Sequence, residues 1–240
     1  MGGTLASAAV AENFVGTEAS DVLRGTAGPD QIYAEAGDDT IEGREANDYL
    51  EAGSGADTVD GGPGIDLVIG GTGNDRILAG YGNDVVYAGA DGDEVIGGPG
   101  EDRLFGQIGD DRLFGGPDDD WLYAGAGTDF VDGGSGADHI TSDDESTLLG
   151  GPGGDTITAR GTKVMVDAGP DADRVKTGRG KDEITGGTGA DAIKARGGRD
   201  LVDALDGERD RVDCGKGRDR VRADAIDELV NCEIRLRPRD

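Results

Sequence analysis

The chain has 240 residues and a formal net charge of −28, with 35% hydrophobic residues, 4% aromatic residues and 47 glycines. Low hydrophobicity combined with high net charge describes a chain that buries too little apolar surface to offset its conformational entropy. An ordered structure therefore needs a further source of stability, and the acidic surface excludes nucleic acid as the main partner because phosphates would be repelled. No stretch approaches the apolar length that spans a bilayer.

The charge is unevenly placed: residues 1–159 carry 33 acidic and 5 basic residues, whereas residues 160–240 carry 18 of each. At the start, within residues 1–15, a run of mostly small and apolar residues ends in Ala9-Val10-Ala11, a small-x-small pattern of the kind cut by signal peptidases. The segment is too short for a whole signal and lacks a basic first region, so the expectation is a signal remnant and lead-in whose true start lies upstream.

Residues 16–141 then repeat with a period of nine. Aspartate stands at 21, 30, 39, 48, 57, 66, 75, 84, 93, 102, 111, 120, 129 and 138, and an aliphatic residue follows each two places later, from Leu23 and Ile32 to Val131 and Ile140. Residues 142–167 are irregular: "SDDESTLL" is one residue short, Asp155 restores the pattern, and Val164 stands where an aspartate belongs. In the short unit the same reading puts Thr147 in the acidic position. A second block, 168–222, has Asp173, Asp182, Asp191, Asp200, Asp210 and Asp219, with one residue inserted before Asp210. The last unit, "ADAIDELVN", reads with Glu228 acidic and Val230 apolar, and residues 223–240 are expected to cap the array. A fixed period over this length is a repeat architecture.

Units such as GGPGIDLVI (61–69), GGTGNDRIL (70–78), GGPGEDRLF (97–105) and GGSGADHIT (133–141) resemble the RTX, or haemolysin-type, calcium-binding nonapeptide G-G-x-G-x-D-x-U-x. The ending RDRVDCGKGRDRVRADAIDELVNCE (209–233) also resembles the cap of secreted bacterial calcium-binding proteins built from such repeats. The resemblance implies an all-β fold, a parallel β-roll (β-solenoid) of about twelve two-strand coils with eighteen residues per coil. Six residues of each unit would turn and three would form a strand. The implied cofactor is Ca²⁺, in several copies.

In such a roll, aspartates eighteen residues apart stack at the ~4.8 Å spacing of neighbouring strands. A calcium–oxygen bond is about 2.4 Å, so an ion fits between two stacked carboxylates, and loop carbonyls can complete its shell. Two columns follow. One holds Asp21, Asp39, Asp57, Asp75, Asp93, Asp111 and Asp129, breaks at Thr147 and Val164, and resumes with Asp182, Asp200 and Asp219. The other holds Asp30, Asp48, Asp66, Asp84, Asp102, Asp120, Asp138, Asp155, Asp173, Asp191 and Asp210. Loop glycines, among them Gly61, Gly62, Gly64, Gly70, Gly71, Gly73, Gly97, Gly98, Gly100, Gly133, Gly134 and Gly136, would supply positive φ and close carbonyl approach. Ala46, Asp91 and Asp118 replace the fourth-position glycine and put their loops in doubt. Without metal, carboxylates at this spacing repel by roughly 0.9 kcal/mol even in water, so ion binding becomes folding free energy.

Cys214 and Cys232 are also eighteen residues apart, so the roll would stack them within disulfide reach, which fits an oxidising, extracellular setting. Catalysis has little support: His139 is the sole histidine, and neither an H-E-x-x-H nor a G-x-S-x-G segment occurs. Seven consecutive units carry an apolar ninth residue (Ile69, Leu78, Tyr87, Ile96, Phe105, Phe114, Tyr123), which reads either as stacking that stiffens a sheet or as a self-association surface. Basic residues on the C-terminal loops read either as relief of self-repulsion or as contact with an anionic cell-surface polymer. Two functions stand: a secreted calcium-binding roll with a structural or cell-surface role, and an RTX accessory region of a longer adhesin or secreted enzyme.

Overall fold

The computed structural model describes residues 11–236, and all the regular structure among them is β. Ala9 and Val10 of the candidate processing pattern lie outside the described residues. Successive strands alternate between two thirteen-stranded sheets. The first runs from Asn13–Thr17 through Gln31–Glu35 to Glu228–Val230, the second from Val22–Arg24 through Thr40–Glu42 to Ile234–Arg235. Every pairing is parallel and joins residues one coil apart, as in Ile32↔Leu50 and Leu50↔Val68. The chain thus forms a β-solenoid of about twelve coils.

Period-two alternation in each strand sets the interior. The aliphatic eighth residue of each unit points inward, and Val68, Leu104 and Ile157 are 0% exposed. At the two ends Leu23 and Leu229 are only partly buried. The next inward place, two residues on, is the first residue of the following unit. There Ala34, Ala52, Ala79, Ala88 and Ala124 are fully buried, a second core position that the glycine consensus conceals. Only small residues occupy it, because the aliphatic and the aspartate already fill the narrow interior.

Strands in the regular block are longer than the implied three residues. Leu67–Thr72 and Arg76–Tyr81 each have six, because the loops also stack in register, as in Gly53↔Gly71 and Gly62↔Gly80. In the second block Arg174–Lys176 and Glu183–Thr185 have three. A third, three-stranded sheet forms there from Arg179–Gly180, Gly197–Gly198 and Lys216–Gly217.

Two registers differ from the sequence reading. Asp129 aligns with Ser146 and Val131 with the fully buried Leu148, so Ser146, not Thr147, stands in the acidic position. In the last unit Val212 aligns with Leu229 and the Asp210 N–H donates to Asp227 Oδ1 at 3.1 Å, so Asp227 and Leu229 take the places read as Glu228 and Val230. The residue inserted before Asp210 is accommodated at an exposed loop around Gly207, where an added Cβ would meet nothing within 4 Å.

Cys214 and Cys232 are joined, with Cα atoms 5.1 Å apart. The bond ties the last coil of the first sheet to its neighbour and blunts an otherwise open edge. Closing a loop of this length stabilises by about 3 kcal/mol. The Cys214→Ser/Cys232→Ser double variant is therefore expected to lose about 3 kcal/mol of unfolding free energy, read as a lower denaturant midpoint at unchanged slope. Two alkylatable thiols in the unreduced parent, read by intact mass, would contradict the bond.

Candidate metal centre

Each unit ends its loop by turning an aspartate inward just before the strand. These carboxylates are almost wholly buried: Asp102, Asp120, Asp138 and Asp155 are 0% exposed and Asp48 3%. One oxygen of each has a fixed partner. The N–H of Asp84 donates to Asp102 Oδ1 at 2.8 Å, and the Asp102 N–H donates to Asp120 Oδ1 at 2.7 Å. The pattern repeats down both columns, with Asp57 on Asp75 and Asp182 on Asp200 as further examples. It closes at the C-terminal end on Asp227 and on Glu233, whose Oε2 accepts the Asp219 N–H at 2.9 Å.

The second oxygen is different. In nineteen of the twenty-one aspartates assigned to the columns, Oδ2 is buried without a hydrogen-bond partner. Asp30 and Asp21 are the exceptions: the Thr26 N–H and hydroxyl donate to Asp30 Oδ2 at 2.5 and 3.0 Å. Thr17 does the same for Asp21, at 2.6 and 2.9 Å. The N-terminal end of each column is thus closed by a threonine in the second position of the unit, where most regular units have glycine; that exchange was the available sequence signal.

An unpartnered buried carboxylate is costly, and a stack of them more so. None of the six ion pairs among the described residues involves a column aspartate. Burial pushes the carboxyls of Asp66, Asp75, Asp93, Asp102 and Asp155 from the usual 3.8 up to about 7. Burial, with Asp102 and Asp138 adding repulsion from its own column, takes that of Asp120 up to about 8. Protons or cations must supply the missing charge.

The loops leave room beside these oxygens. Gly62, Gly71, Gly98 and Gly134 take φ between 94° and 116°. A Cβ on Gly62 would run into the Arg44 carbonyl oxygen, one coil back. At the fourth position, a Cβ on Gly64 would run into the Ala46 carbonyl and come within 2.7 Å of Asp66 Oδ1. At the first position, a Cβ on Gly61, Gly70, Gly97 or Gly133 would lie within 2.8 Å of the orphaned Oδ2 of that unit's aspartate. Carboxylate and carbonyl oxygens therefore crowd a cradle between coils, which the glycines at the second and fourth positions leave open. Among the described residues no three acidic, histidine or cysteine side chains converge, so an ion here would draw on two carboxylates and on loop carbonyls. Such an all-oxygen set suits a hard divalent cation.

Ala46, Asp91 and Asp118 hold the glycine conformation, each with φ of 80°, and so place a Cβ where the cradle is otherwise open. Asp171, in the same place with φ of 82°, is a fourth such position. One column is interrupted, because Ser146 bonds Ser142 through their hydroxyls at 2.6 Å and Val164 offers only its N–H to Asp182 Oδ1 at 3.2 Å. The other column passes the short unit unbroken, Asp138 donating to Asp155 at 2.8 Å.

The remaining candidates lie outside the columns. His139 stacks on the exposed Trp121 with centroids 4.3 Å apart. Tyr87 and Phe105 stack at 4.8 Å on the outer face of the first sheet, and Leu78, Ile96 and Phe114 align on the second. Among the described residues no helix is long and apolar enough to cross a membrane.

Comparison with curated proteins gives no match. The profile of the RTX calcium-binding nonapeptide repeat (four copies) matches residues 15–50, 36–68, 69–104, 105–140 and 167–202. The unmatched gap falls on the coils where Ser146 and Val164 interrupt one column. The matches cover more than half of the chain and coincide with the columns of half-partnered aspartates, and the protein belongs to the RTX calcium-binding nonapeptide repeat family.

Proposed function

We propose that this is a secreted calcium-binding β-roll that folds when Ca²⁺ binds and then serves a structural or cell-surface role. The observation that carries the proposal is the set of nineteen buried Oδ2 atoms with no partner, in a chain whose apolar core is one aliphatic and one small residue per unit. Asp39, Asp57, Asp75, Asp93, Asp111 and Asp129 would hold ions in one column, and Asp48, Asp66, Asp84, Asp102, Asp120, Asp138, Asp155, Asp173, Asp191 and Asp210 in the other. Asp182, Asp200 and Asp219 would do so beyond the break. Calcium supplies positive charge where carboxylates crowd; the chain's own part is to aim Oδ2 and the loop carbonyls into one gap and to exclude side chains from it. The disulfide is in keeping with an oxidising compartment.

In excess chelator at neutral pH the chain is expected to lack β structure by circular dichroism, and to gain it at roughly millimolar calcium, the range of extracellular modules. A full β signal in chelator at that pH would refute calcium-coupled folding.

The raised carboxyl pKa values set a pH dependence for the ion-free chain. A group whose pKa is higher in the folded state favours folding when protonated. Its contribution is complete below the usual value of 3.8 and is lost as pH rises through about 7 for Asp102 and about 8 for Asp120. In chelator, β structure should therefore increase as pH falls from 8 towards 5, and the calcium midpoint should rise over the same interval because protons compete for the same oxygens. A chelated chain indifferent to pH would contradict the account.

Asp102 lies between Asp84 and Asp120, whereas Asp182 has Val164 on one side. Asp102→Ala removes a ligand from two gaps and Asp182→Ala from one. The first is expected to shift the calcium midpoint further than the second, and equal midpoints would remove the ion columns as the cause.

A further inference from the structure

The geometry points to a binding groove for a linear acidic polysaccharide on one loop edge of the C-terminal coils, and we propose it as a second site, present only in the folded roll and so resting on the calcium reading above. The third sheet carries it. That sheet flattens three successive loops and aligns Arg179, Gly197 and Lys216 across them. With Arg196 beside Gly197, each coil presents one cation in this row, lining an open groove of about 890 Å³. A second row runs parallel, one residue before the aspartate of each unit: Lys181, Arg199 and Arg218. The loop backbone stacks in register beneath it, with the Lys181 N–H on the Thr162 carbonyl and the Arg199 N–H on the Gly180 carbonyl, both at 3.0 Å.

All six side chains are exposed, and none takes part in an ion pair among the described residues. On the neighbouring strands Lys194 pairs with Asp213 and Arg222 with Asp203. The opposite loop edge of the same coils carries Asp171 and Asp206 instead. Six loop cations thus line one edge of this segment, against Arg209 on the opposite loop edge, on a chain whose first 159 residues hold all of its net negative charge. Relief of self-repulsion needs no such alignment.

The spacing identifies the occupant. The cations recur once per coil, ~4.8 Å, which is close to the advance of one sugar ring along an extended chain, so a polymer with an acidic group on successive rings meets a cation at each step. The Thr162 side chain and the glycine backbone at Gly178 and Gly197 line the same groove and offer polar groups to hydroxyls. Single-stranded nucleic acid is a poorer fit, because its binding sites stack bases on aromatic rings and no aromatic residue lines this groove.

The test uses the full chain in calcium, titrated calorimetrically with a short oligogalacturonate, a heparin oligosaccharide, a neutral maltooligosaccharide and single-stranded DNA, with circular dichroism recorded on the same samples. Binding of an acidic sugar but not of the neutral one, weakening as salt is raised at constant β signal, is the expected result; the two acidic probes separate carboxylate from sulfate. The Arg179→Ala/Arg199→Ala/Lys216→Ala variant should keep the parent's calcium midpoint and bind about tenfold more weakly. Unchanged affinity in that variant, no binding by a chain with a full β signal, or equal binding of DNA overturns the groove. Salt-sensitive dimers that the triple variant abolishes would identify the acidic loops of a second copy as the occupant and overturn it equally. Absence of β structure in calcium is the separate failure of the calcium reading, and would take the groove with it.

Discussion

The structure depends on a carboxylate held in the interior once every nine residues, with one oxygen bonded and the other not. Oδ1 accepts the N–H of the aspartate one coil before, which locks each coil to the next at the point where loop becomes strand. Oδ2 faces the glycine cradle alone. Hydrophobic burial cannot carry this arrangement, since the interior per unit is one aliphatic residue and one residue no larger than alanine, cysteine or threonine. Charge compensation between coils has to do what a large core does elsewhere, and this links the acidic composition to the fold.

Much of this was legible in the sequence because a strict period leaves few alternatives. The aspartates fixed at intervals of nine and the aliphatics two places behind them occupy the interior, and the pairing of Leu104 with Leu122 follows from the repeat alone. The disulfide followed from the same spacing. Where the period slipped, the reading slipped too, for a specific reason. In the short unit both Leu148 and Leu149 satisfy the aliphatic place, and in the last unit Asp227-Glu228 is followed by Leu229-Val230. Each doublet admits two registers, and only the packing against Val131 and Val212 selects one. The buried alanines were hidden for another reason: the first position reads as loop glycine, although the alternation of the strand carries it inward.

The columns are also not uniform along the stack. Threonines close them at the N-terminal end, Asp227 and Glu233 at the other, and Ser146 with Val164 opens a gap in one of them while its companion continues. The hydrogen-bonded sheets pass through that gap without interruption, pairing Leu148 with Val131 on one side and with Val166 on the other. Backbone pairing and ion compensation are therefore separable: the first needs only register, the second needs an aspartate in each coil. The third sheet, with its aligned cations, begins beyond this point, so one continuous scaffold carries two different edges.

The Cys214–Cys232 bond has a mechanical consequence. Backbone hydrogen bonds in both sheets run along the stack axis, so a pull on chain flanking the roll would load them one coil at a time, as in opening a zip, not all together in shear. The bond joins the last two coils of the first sheet, so opening from that end halts once the edge strand Ile234–Arg235 has peeled away. Continued unravelling under tension would proceed instead from the strand Asn13–Thr17, which pairs on one side only among the described residues. Each step would release one coil of chain and expose its carboxylates, giving the roll a directional extension from the end where no covalent bond resists it.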